Sequence, residues 1–313
     1  MENPKQISND KRPVIVSLRA ILVASRPKQW TKNVLLYFVL FFTAGDVWVL
    51  NDTASFLSLF GKATTGFVLF SLVSSSQYLI NDILDAERDR KHAYKRHRPV
   101  ASGDLSSAFA LTGAVVLGTA GITAAFIVEI AFGWVATVYL AISLAYSLVL
   151  KQIVLIDVFA ISAGFVLRAV AGAAVLQVPV SPWLYICTGL GALFLGLSKR
   201  RSELVNAGET AGSQREALYQ YSVPLLDQLI GVVATATPLS YILYTFTAPN
   251  LPDNDAMMLT APFVVYGVFR YLFLVYAKNI GESPEDVVIT DGPLIVSIAL
   301  WLASSAAVLL YQV

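Results

Sequence analysis

Nine apolar stretches constrain this chain more than any other feature. They fall at 29–45, 55–82, 106–127, 131–150, 153–175, 181–200, 224–247, 258–277 and 292–312. About 20 helical residues cross a hydrocarbon core about 30 Å thick, and these stretches reach or approach that length. The pattern predicts an all-α membrane protein with nine transmembrane helices. Composition agrees: 56% of residues are hydrophobic and 14% charged, against about 25% charged in soluble domains. A secreted, disordered or nucleic-acid-binding protein is excluded. The net charge of +1 supplies no field to recruit an acidic partner. Cys187 is the single cysteine, which excludes an intrachain disulfide and a cysteine metal site. His92 and His97 share one polar loop, so no His-rich metal centre lies within the membrane. Stretches 131–150 and 153–175 meet at Lys151-Gln152 and predict an antiparallel hairpin. Nothing before residue 14 looks like a cleaved signal. Residues 1–25 read as a cytoplasmic N-terminal segment and 26–313 as one nine-helix catalytic domain.

Charge placement gives an orientation. Lys5, Lys11, Arg12, Arg19, Arg26, Lys28 and Lys32 precede or open the first stretch. Arg88, Arg90, Lys91, Lys95, Arg96 and Arg98 follow the second, and Lys151 follows the fourth. Lys199, Arg200, Arg201 and Arg215 follow the sixth, and Lys278 the eighth. The alternate loops carry Asp46, Asp52, Glu129, Asp253 and Asp255, with Lys62 the exception. Cytoplasmic loops are enriched in Lys and Arg, so a cytoplasmic N-terminus and an external C-terminus are expected. An odd number of spans agrees. The polar loops after the second and sixth spans then form two cytoplasmic caps of a multi-pass plasma-membrane protein. Trp30, Trp48, Trp134, Trp183 and Trp301 fall near the expected interfaces and read as aromatic anchors.

The segment from Ser74 to Arg90 concentrates the chemistry. Asn81, Asp85 and Asp89 are spaced i, i+4, i+8 and share one helical stripe, with Asp82 beside Asp85. The stripe lies at the C-terminal end of a membrane helix, where the dipole disfavours anions. Like charges at i+4 repel by a few tenths of a kcal/mol. A hard divalent cation would offset both, and Mg²⁺ typically takes one or two carboxylates plus substrate phosphates. The plainer reading is a solvated face paired to Arg88, Arg90 and Lys91. The basic run from Arg90 to Arg98 follows at once. A carboxylate metal site beside guanidinium forks suits a diphosphate. The same run also serves positive-inside topology and anionic lipid contact.

Asn81-Asp82-x-x-Asp85-x-x-x-Asp89 resembles the first aspartate-rich motif of the UbiA-type intramembrane prenyltransferase superfamily. Nine helices in a UbiA-like bundle, with cytoplasmic caps after helices 2 and 6, are what that resemblance implies. Further residues are similar to its phosphoribosyl-transferring branch. They are Arg26-Pro27-Lys28-Gln29-Trp30-Thr31-Lys32-Asn33, Arg88-Asp89-Arg90 with Lys95-Arg96-x-Arg98-Pro99, Leu167-Arg168-Ala169, Lys199-Arg200-x-x-Glu203, and Ser283-Pro284-Glu285-Asp286 leading to Asp291. Many aromatic prenyltransferases of the superfamily carry a second aspartate-rich motif after span six. Here that place reads Ser198-Lys199-Arg200-Arg201-Ser202-Glu203. One acidic and one basic pole suit two phosphorylated substrates.

The resemblance implies phosphoribosyl diphosphate (PRPP) as donor and a polyprenyl phosphate as acceptor, in the synthesis of a cell-wall arabinan precursor. It implies Mg²⁺ held by Asn81, Asp82, Asp85 and Asp89, with the three aspartates catalytic. Substrate phosphates would fall to Lys28, Lys32, Arg90, Lys95, Arg98, Lys199 and Arg200. Tyr146 and Lys151 resemble the superfamily's Tyr-Ser-x-x-x-Lys pattern. Arg168 lies roughly 16 Å along a helix from Asp157 and should face a cavity or a partner. It is expected to hold the acceptor phosphate or to pair with an acid, and Asp157 to order Lys151 or Lys199 or to help with the donor ribose. Arg270 has a structural role at least as readily as a binding one. No nucleic acid is a partner, and a homo-oligomer stays open. Two other functions fit the composition. One is a prenyltransferase using a prenyl diphosphate and a small aromatic acceptor. The other is a secondary transporter for an anionic metabolite, for which buried arginines would serve.

Overall fold

The computed structural model describes residues 14–91, 94–207, 216–252 and 254–311. Lys5, Lys11, Arg12, His92, Arg215 and Asp253 lie outside the described residues. Among the described residues every regular element is a helix, and the one β-bridge, Ala44–Trp48, is isolated. In order they form α1 (Val14–Ala24), a 3₁₀ helix (Pro27–Val34), α2 (Leu35–Phe42), α3 (Thr53–Leu84) and α4 (Ala86–Arg90). Then come α5 (Pro99–Ser102), α6 (Ser107–Val128), α7 (Ile130–Leu148), α8 (Ile156–Leu176) and α9 (Pro182–Ala207). The chain ends with α10 (Glu216–Tyr219), α11 (Val223–Thr247), α12 (Ala261–Ala277), α13 (Pro284–Thr290) and α14 (Gly292–Tyr311).

Seven helical segments among the described residues are long and apolar enough to cross a membrane: α3, α6, α7, α8, α11, α12 with the turn before it, and α14. Two of the nine expected spans differ. The first is split, because Pro27-Lys28-Gln29-Trp30-Thr31-Lys32-Asn33-Val34 is polar and winds as a 3₁₀ helix, leaving only eight residues to α2. The sixth, α9, has 26 residues, about 39 Å of helix. Its last turns carry Lys199, Arg200, Arg201 and Glu203, and it falls outside the seven.

The helix α8 is the axis of the bundle, with half of its span buried. One face packs with α2, α3 and α7 through Leu36, Phe70, Phe132, Tyr139 and Val175. The other packs with α9, which packs in turn with α11, and α11 with α12, in one cluster that includes Val158, Phe194, Ile230 and Tyr271. Small residues permit close approach. A Cβ on Gly172 would lie 2.4 Å from the Leu36 carbonyl oxygen, and one on Gly118 would lie 2.7 Å from Ser76 Oγ. The expected hairpin is present as α7, a 3₁₀ turn at Leu150–Gln152, and α8. Trp134 is exposed as an anchor would be. Trp30, Trp48 and Trp301 instead donate inward, to Ser75 Oγ (3.1 Å), the Leu40 carbonyl (2.7 Å) and the Tyr241 hydroxyl (2.8 Å).

Candidate active site

The acidic motif closes α3. Asp85 caps the helix, and the chain bends there into α4. Two backbone hydrogen bonds preserve the spacing: Asp85 N–H to the Asn81 carbonyl (2.9 Å) and Asp89 N–H to the Asp85 carbonyl (2.8 Å). The side chains, however, do not converge as the stripe suggests. Asp89 accepts from Arg98 Nη1 at 2.6 Å, and the same nitrogen stands 3.5 Å from Asp82. Asp85 accepts from Lys151 Nζ at 2.7 Å, with Arg88 3.8 Å away. Asn81 Oδ1 accepts from Ser147 Oγ at 3.2 Å. Among the described residues no group of three or more His, Cys, Asp or Glu side chains is gathered for a metal. Arg98 bridges Asp82 and Asp89, and Lys151 draws Asp85 to a separate partner.

Asp82 is the most enclosed of the four, 1% exposed, and pairs with Arg26. Arg26 turns the chain from α1 into the 3₁₀ helix with φ of 51°. Its guanidinium also stacks 5.2 Å over the Tyr78 ring. The other carboxylate oxygen of Asp82, Oδ2, is buried with no hydrogen-bond partner. An orphaned anionic oxygen of this kind suits a hard cation, and Mg²⁺ needs only one or two protein carboxylates when substrate phosphates complete its shell. The donor set therefore fits Mg²⁺.

The basic pole is built on the end of α9. Arg200 is 2% exposed and donates to Asp157 (2.6 Å), Glu203 (2.5 Å) and the Tyr146 hydroxyl (3.3 Å). Asp157 pairs with Arg200, and not with Lys151 or Lys199, because the Arg200 guanidinium occupies its pocket with the Tyr221 hydroxyl (2.7 Å). Tyr221 also accepts from the Leu155 backbone N–H at 2.7 Å, where Leu155 has φ of 67°. Lys199 makes no ion pair within 4 Å among the described residues, although Lys32 and Glu285 lie in its field.

Arg168, 6% exposed, has no carboxylate partner among the described residues. It donates to Asn33 Oδ1 (2.9 Å), the Gly164 carbonyl (2.9 Å) and the Tyr139 hydroxyl (2.7 Å), and lies 4.8 Å from the Tyr139 ring centroid. It binds the 3₁₀ helix to α7 and α8. Arg90 is similarly engaged, donating to the Ala101 carbonyl at 3.3 Å and joining α4 to α5. Lys95 is exposed at the start of a 3₁₀ turn. Arg270 holds Asp291 through two bonds of 3.0 and 2.9 Å.

The remaining cations meet α13. Lys28 Nζ lies 2.6 Å from Asp286, and that bond raises the lysine above its ordinary pKa. Lys32 Nζ stands 3.8 Å from Glu285, which also accepts from Gln29 at 3.2 Å. Burial, aided by Arg168, Lys199 and Arg26, outweighs Glu285 and pushes Lys32 down to about 8. Burial would raise Glu285, but Lys32, Gln29 and Lys199 overcome it and hold the carboxyl below its ordinary value. Lys32 opens onto a cavity of about 1180 Å³ with mainly apolar walls from α2, α9, α11, α12 and α14. Drug-sized pockets are about 300–1,000 Å³. Sequence reasoning missed Asn33, Tyr139, Ser147 and Tyr221 as partners. No local spacing marks them, since each meets its charge across the bundle.

A model of the UbiA prenyltransferase family matches residues 35–285. The decaprenyl-phosphate phosphoribosyltransferase of Mycobacterium tuberculosis is 32% identical over 287 residues, 92% of this chain and 93% of that protein. The decaprenyl-phosphate phosphoribosyltransferase of Corynebacterium glutamicum is 31% identical over 288 residues, covering 90% of this chain and 84% of that protein. Among solved structures, a UbiA homolog from Archaeoglobus fulgidus bound to GPP and Mg²⁺ has a TM-score of 0.70 at 18% identity, over 93% of this chain and 99% of that one. The fold, the terminal motif of α3 and this similarity along nearly the whole chain agree: the chain belongs to the UbiA prenyltransferase family.

Proposed function

We propose that this protein transfers the 5-phosphoribosyl group from PRPP to a polyprenyl phosphate, releasing diphosphate. The observation that carries this reading is the basic pole at the end of α9. Lys199 and Arg200 stand there, where a second carboxylate cluster would serve a prenyl diphosphate. Similarity over nearly full length to decaprenyl-phosphate phosphoribosyltransferases supports the same donor and acceptor. The product would be a precursor of cell-wall arabinan. In the membrane, α2 and α9 would cross with the seven apolar spans to make nine. The N-terminus and both charged caps would face the cytoplasm, where a soluble donor is found.

In the reaction, the bond from the anomeric carbon to diphosphate breaks and the leaving group keeps the electron pair. A phosphate oxygen of the lipid forms the new bond, with inversion. The attacking group is already an anion, so no strong general base is required. Asn81, Asp82, Asp85 and Asp89 would hold Mg²⁺, whose charge would stabilise the departing diphosphate. Arg98 and Lys95 stand next to that motif and would receive the donor's phosphates. Lys151 orients Asp85, and Arg26 orients Asp82. Asp157, Glu203 and Tyr146 take up the buried Arg200 guanidinium, so Arg200 fixes the end of α9 and Lys199 is the cation there left to meet substrate phosphate. Arg168 positions the 3₁₀ helix that carries Lys28 and Lys32.

The test is a radiolabel transfer assay on purified protein in detergent. Labelled PRPP, polyprenyl phosphate and Mg²⁺ should move label into the organic phase, with none moved in chelator or without lipid. Failure of that transfer, together with diphosphate release from a prenyl diphosphate and an aromatic acceptor, would replace this reading with ordinary prenyl transfer.

A further inference from the structure

The apolar cavity has a charge polarity along its length. Lys32 is the one cation among the described residues that line it, and Asp46 is the one acid. They stand at opposite ends of α2, which alone separates them by about 12 Å. A long apolar ligand with an anionic head can therefore lie in one direction only, head at Lys32 and tail toward Asp46. The Lys32 ammonium is poorly compensated where it stands. It is partly buried, with a single carboxylate 3.8 Å away and the cations Arg168, Lys199 and Arg26 nearby. A dianion would balance that group of cations better than one carboxylate does.

Two further observations mark the same end. The Tyr271 hydroxyl is buried without a hydrogen-bond partner, and its side chain lines the cavity within the field of Glu285. Also, α13 reaches across to the 3₁₀ helix through three polar contacts: Lys28–Asp286 (2.6 Å), Gln29–Glu285 (3.2 Å) and Lys32–Glu285 (3.8 Å). These tie residues from opposite ends of the chain over the head of the cavity.

We infer that the Lys32 end of the cavity is the binding site for the phosphomonoester head of a long isoprenoid lipid, with Glu285 a built-in carboxylate that the phosphate displaces. Lys32 supplies the anchoring charge and the apolar walls take the chain. Tyr271 gains an acceptor that it lacks in the free protein. Asp286 keeps α13 attached to Lys28 while Glu285 gives way. The assignment deepens the transferase reading, because it gives the acceptor its own phosphate site, apart from the Asp82–Asp85–Asp89 motif.

The test measures lipid binding to the full-length protein in detergent with no donor present, so it does not depend on the transfer assay. Polyprenyl phosphate, the matching polyprenol and inorganic phosphate are compared. Polyprenyl phosphate should bind tightest and the polyprenol at least tenfold more weakly. Inorganic phosphate should compete only at much higher concentration. Lys32→Met should weaken polyprenyl phosphate binding roughly tenfold or more, as loss of one charge-assisted contact does, and leave polyprenol binding unchanged. Glu285→Gln should tighten polyprenyl phosphate binding severalfold. Tyr271→Phe should weaken it less than Lys32→Met does. Equal binding of polyprenol and polyprenyl phosphate would overturn the site, as would inorganic phosphate binding as tightly as the lipid. Weaker lipid binding in Glu285→Gln would overturn the displaced-carboxylate role. In steady state Lys32→Met and Glu285→Gln should shift the acceptor KM and not the PRPP KM. A shift confined to PRPP would assign Lys32 to the donor.

Discussion

Arg200 and Asp157, both at most 2% exposed, meet at 2.6 Å across the α8–α9 interface. A pair this enclosed is costly to make and more costly to break, because removing one member strands the other charge in a low dielectric. Glu203 still accepts from Arg200 when Asp157 is lost, so the arginine is the member whose removal strands a buried charge: Arg200→Met should cost about 3–5 kcal/mol and lower the melting temperature in detergent by roughly 10 °C. Thermal unfolding followed by circular dichroism would check this. A melting temperature equal to wild type would mean that water already reaches the pair.

Tyr221 joins the same network from the segment before α11. Its hydroxyl accepts from the Leu155 N–H and donates to Asp157. Burial and the adjacent Asp157 carboxylate raise its pKa well above the ordinary tyrosine value. Tyr221→Phe leaves a backbone donor and a carboxylate oxygen short of a partner at a residue with a strained positive φ. The expected loss is about 1–3 kcal/mol. Hydrogen exchange should quicken at Leu155 and the first turn of α8, with α6 unaffected. Uniform exchange across both helices would contradict a local role.

The Asp85–Lys151 pair gives a catalytic prediction. Asp85→Asn keeps shape and removes charge, so turnover should fall about 10²–10³-fold and the Mg²⁺ concentration for half-maximal rate should rise. Lys151→Met releases Asp85 from its partner, which should tighten apparent Mg²⁺ affinity while lowering kcat through loss of orientation. Metal titrations of the steady-state rate separate the two. Full Mg²⁺-dependent turnover in Asp85→Asn would remove that carboxylate from the metal site.

Lys32 sets a pH dependence. Its ammonium is the anion-binding form, and burial depresses its pKa to about 8. As pH rises through that value the free protein loses the charge, so kcat/KM for the lipid acceptor should decline with an apparent pKa near 8, since this parameter reports the free enzyme. Below about pH 7 the group stays protonated and Lys32 imposes no dependence. Lys32→Arg should carry the descending limb beyond the accessible range, because a guanidinium stays protonated. An unchanged limb in Lys32→Arg would assign the decline to another group.

The acidic motif, the α7–α8 hairpin and most spans were legible because each rests on local spacing. Periodicity placed Asn81, Asp85 and Asp89 along one helix, and the backbone hydrogen bonds keep that register. Their partners were not legible. Arg26 reaches Asp82 from 56 positions earlier and Lys151 reaches Asp85 from 66 positions later, distances over which no helical repeat carries information. Of the carboxylates that looked gathered, Asp82 and Asp89 share Arg98, while Asp85 is matched to Lys151. The first expected span is split for a local reason that the sequence did contain. Lys28, Gln29, Thr31, Lys32 and Asn33 are too polar for an apolar helix start, and they wind tightly to present Lys32 and Asn33 inward.

Gly172 tests how the cavity wall is held. Its Cα approaches α2 so closely that an added Cβ would sit 2.4 Å from the Leu36 carbonyl oxygen and 2.9 Å from Leu36 Cα. The obstacle is backbone, not the end of a flexible side chain, so α2 itself must move. Gly172→Ala gains helix propensity worth about 1 kcal/mol, but overpacking costs typically 1–3 kcal/mol, and the balance should destabilise. Moving α2 off α8 also moves Leu35 and Phe38, which line the cavity. The acceptor KM should therefore rise more than the PRPP KM, since Asp82, Asp85 and Asp89 stand on α3 and α4. Gly118 is the control: a methyl there meets Ser76 Oγ on the α3–α6 side, away from the cavity. If Gly172→Ala and Gly118→Ala lowered the melting temperature alike but only Gly172→Ala raised the acceptor KM, α2 would be the wall that fixes acceptor fit. A matched rise in both variants would reduce the effect to general loss of stability.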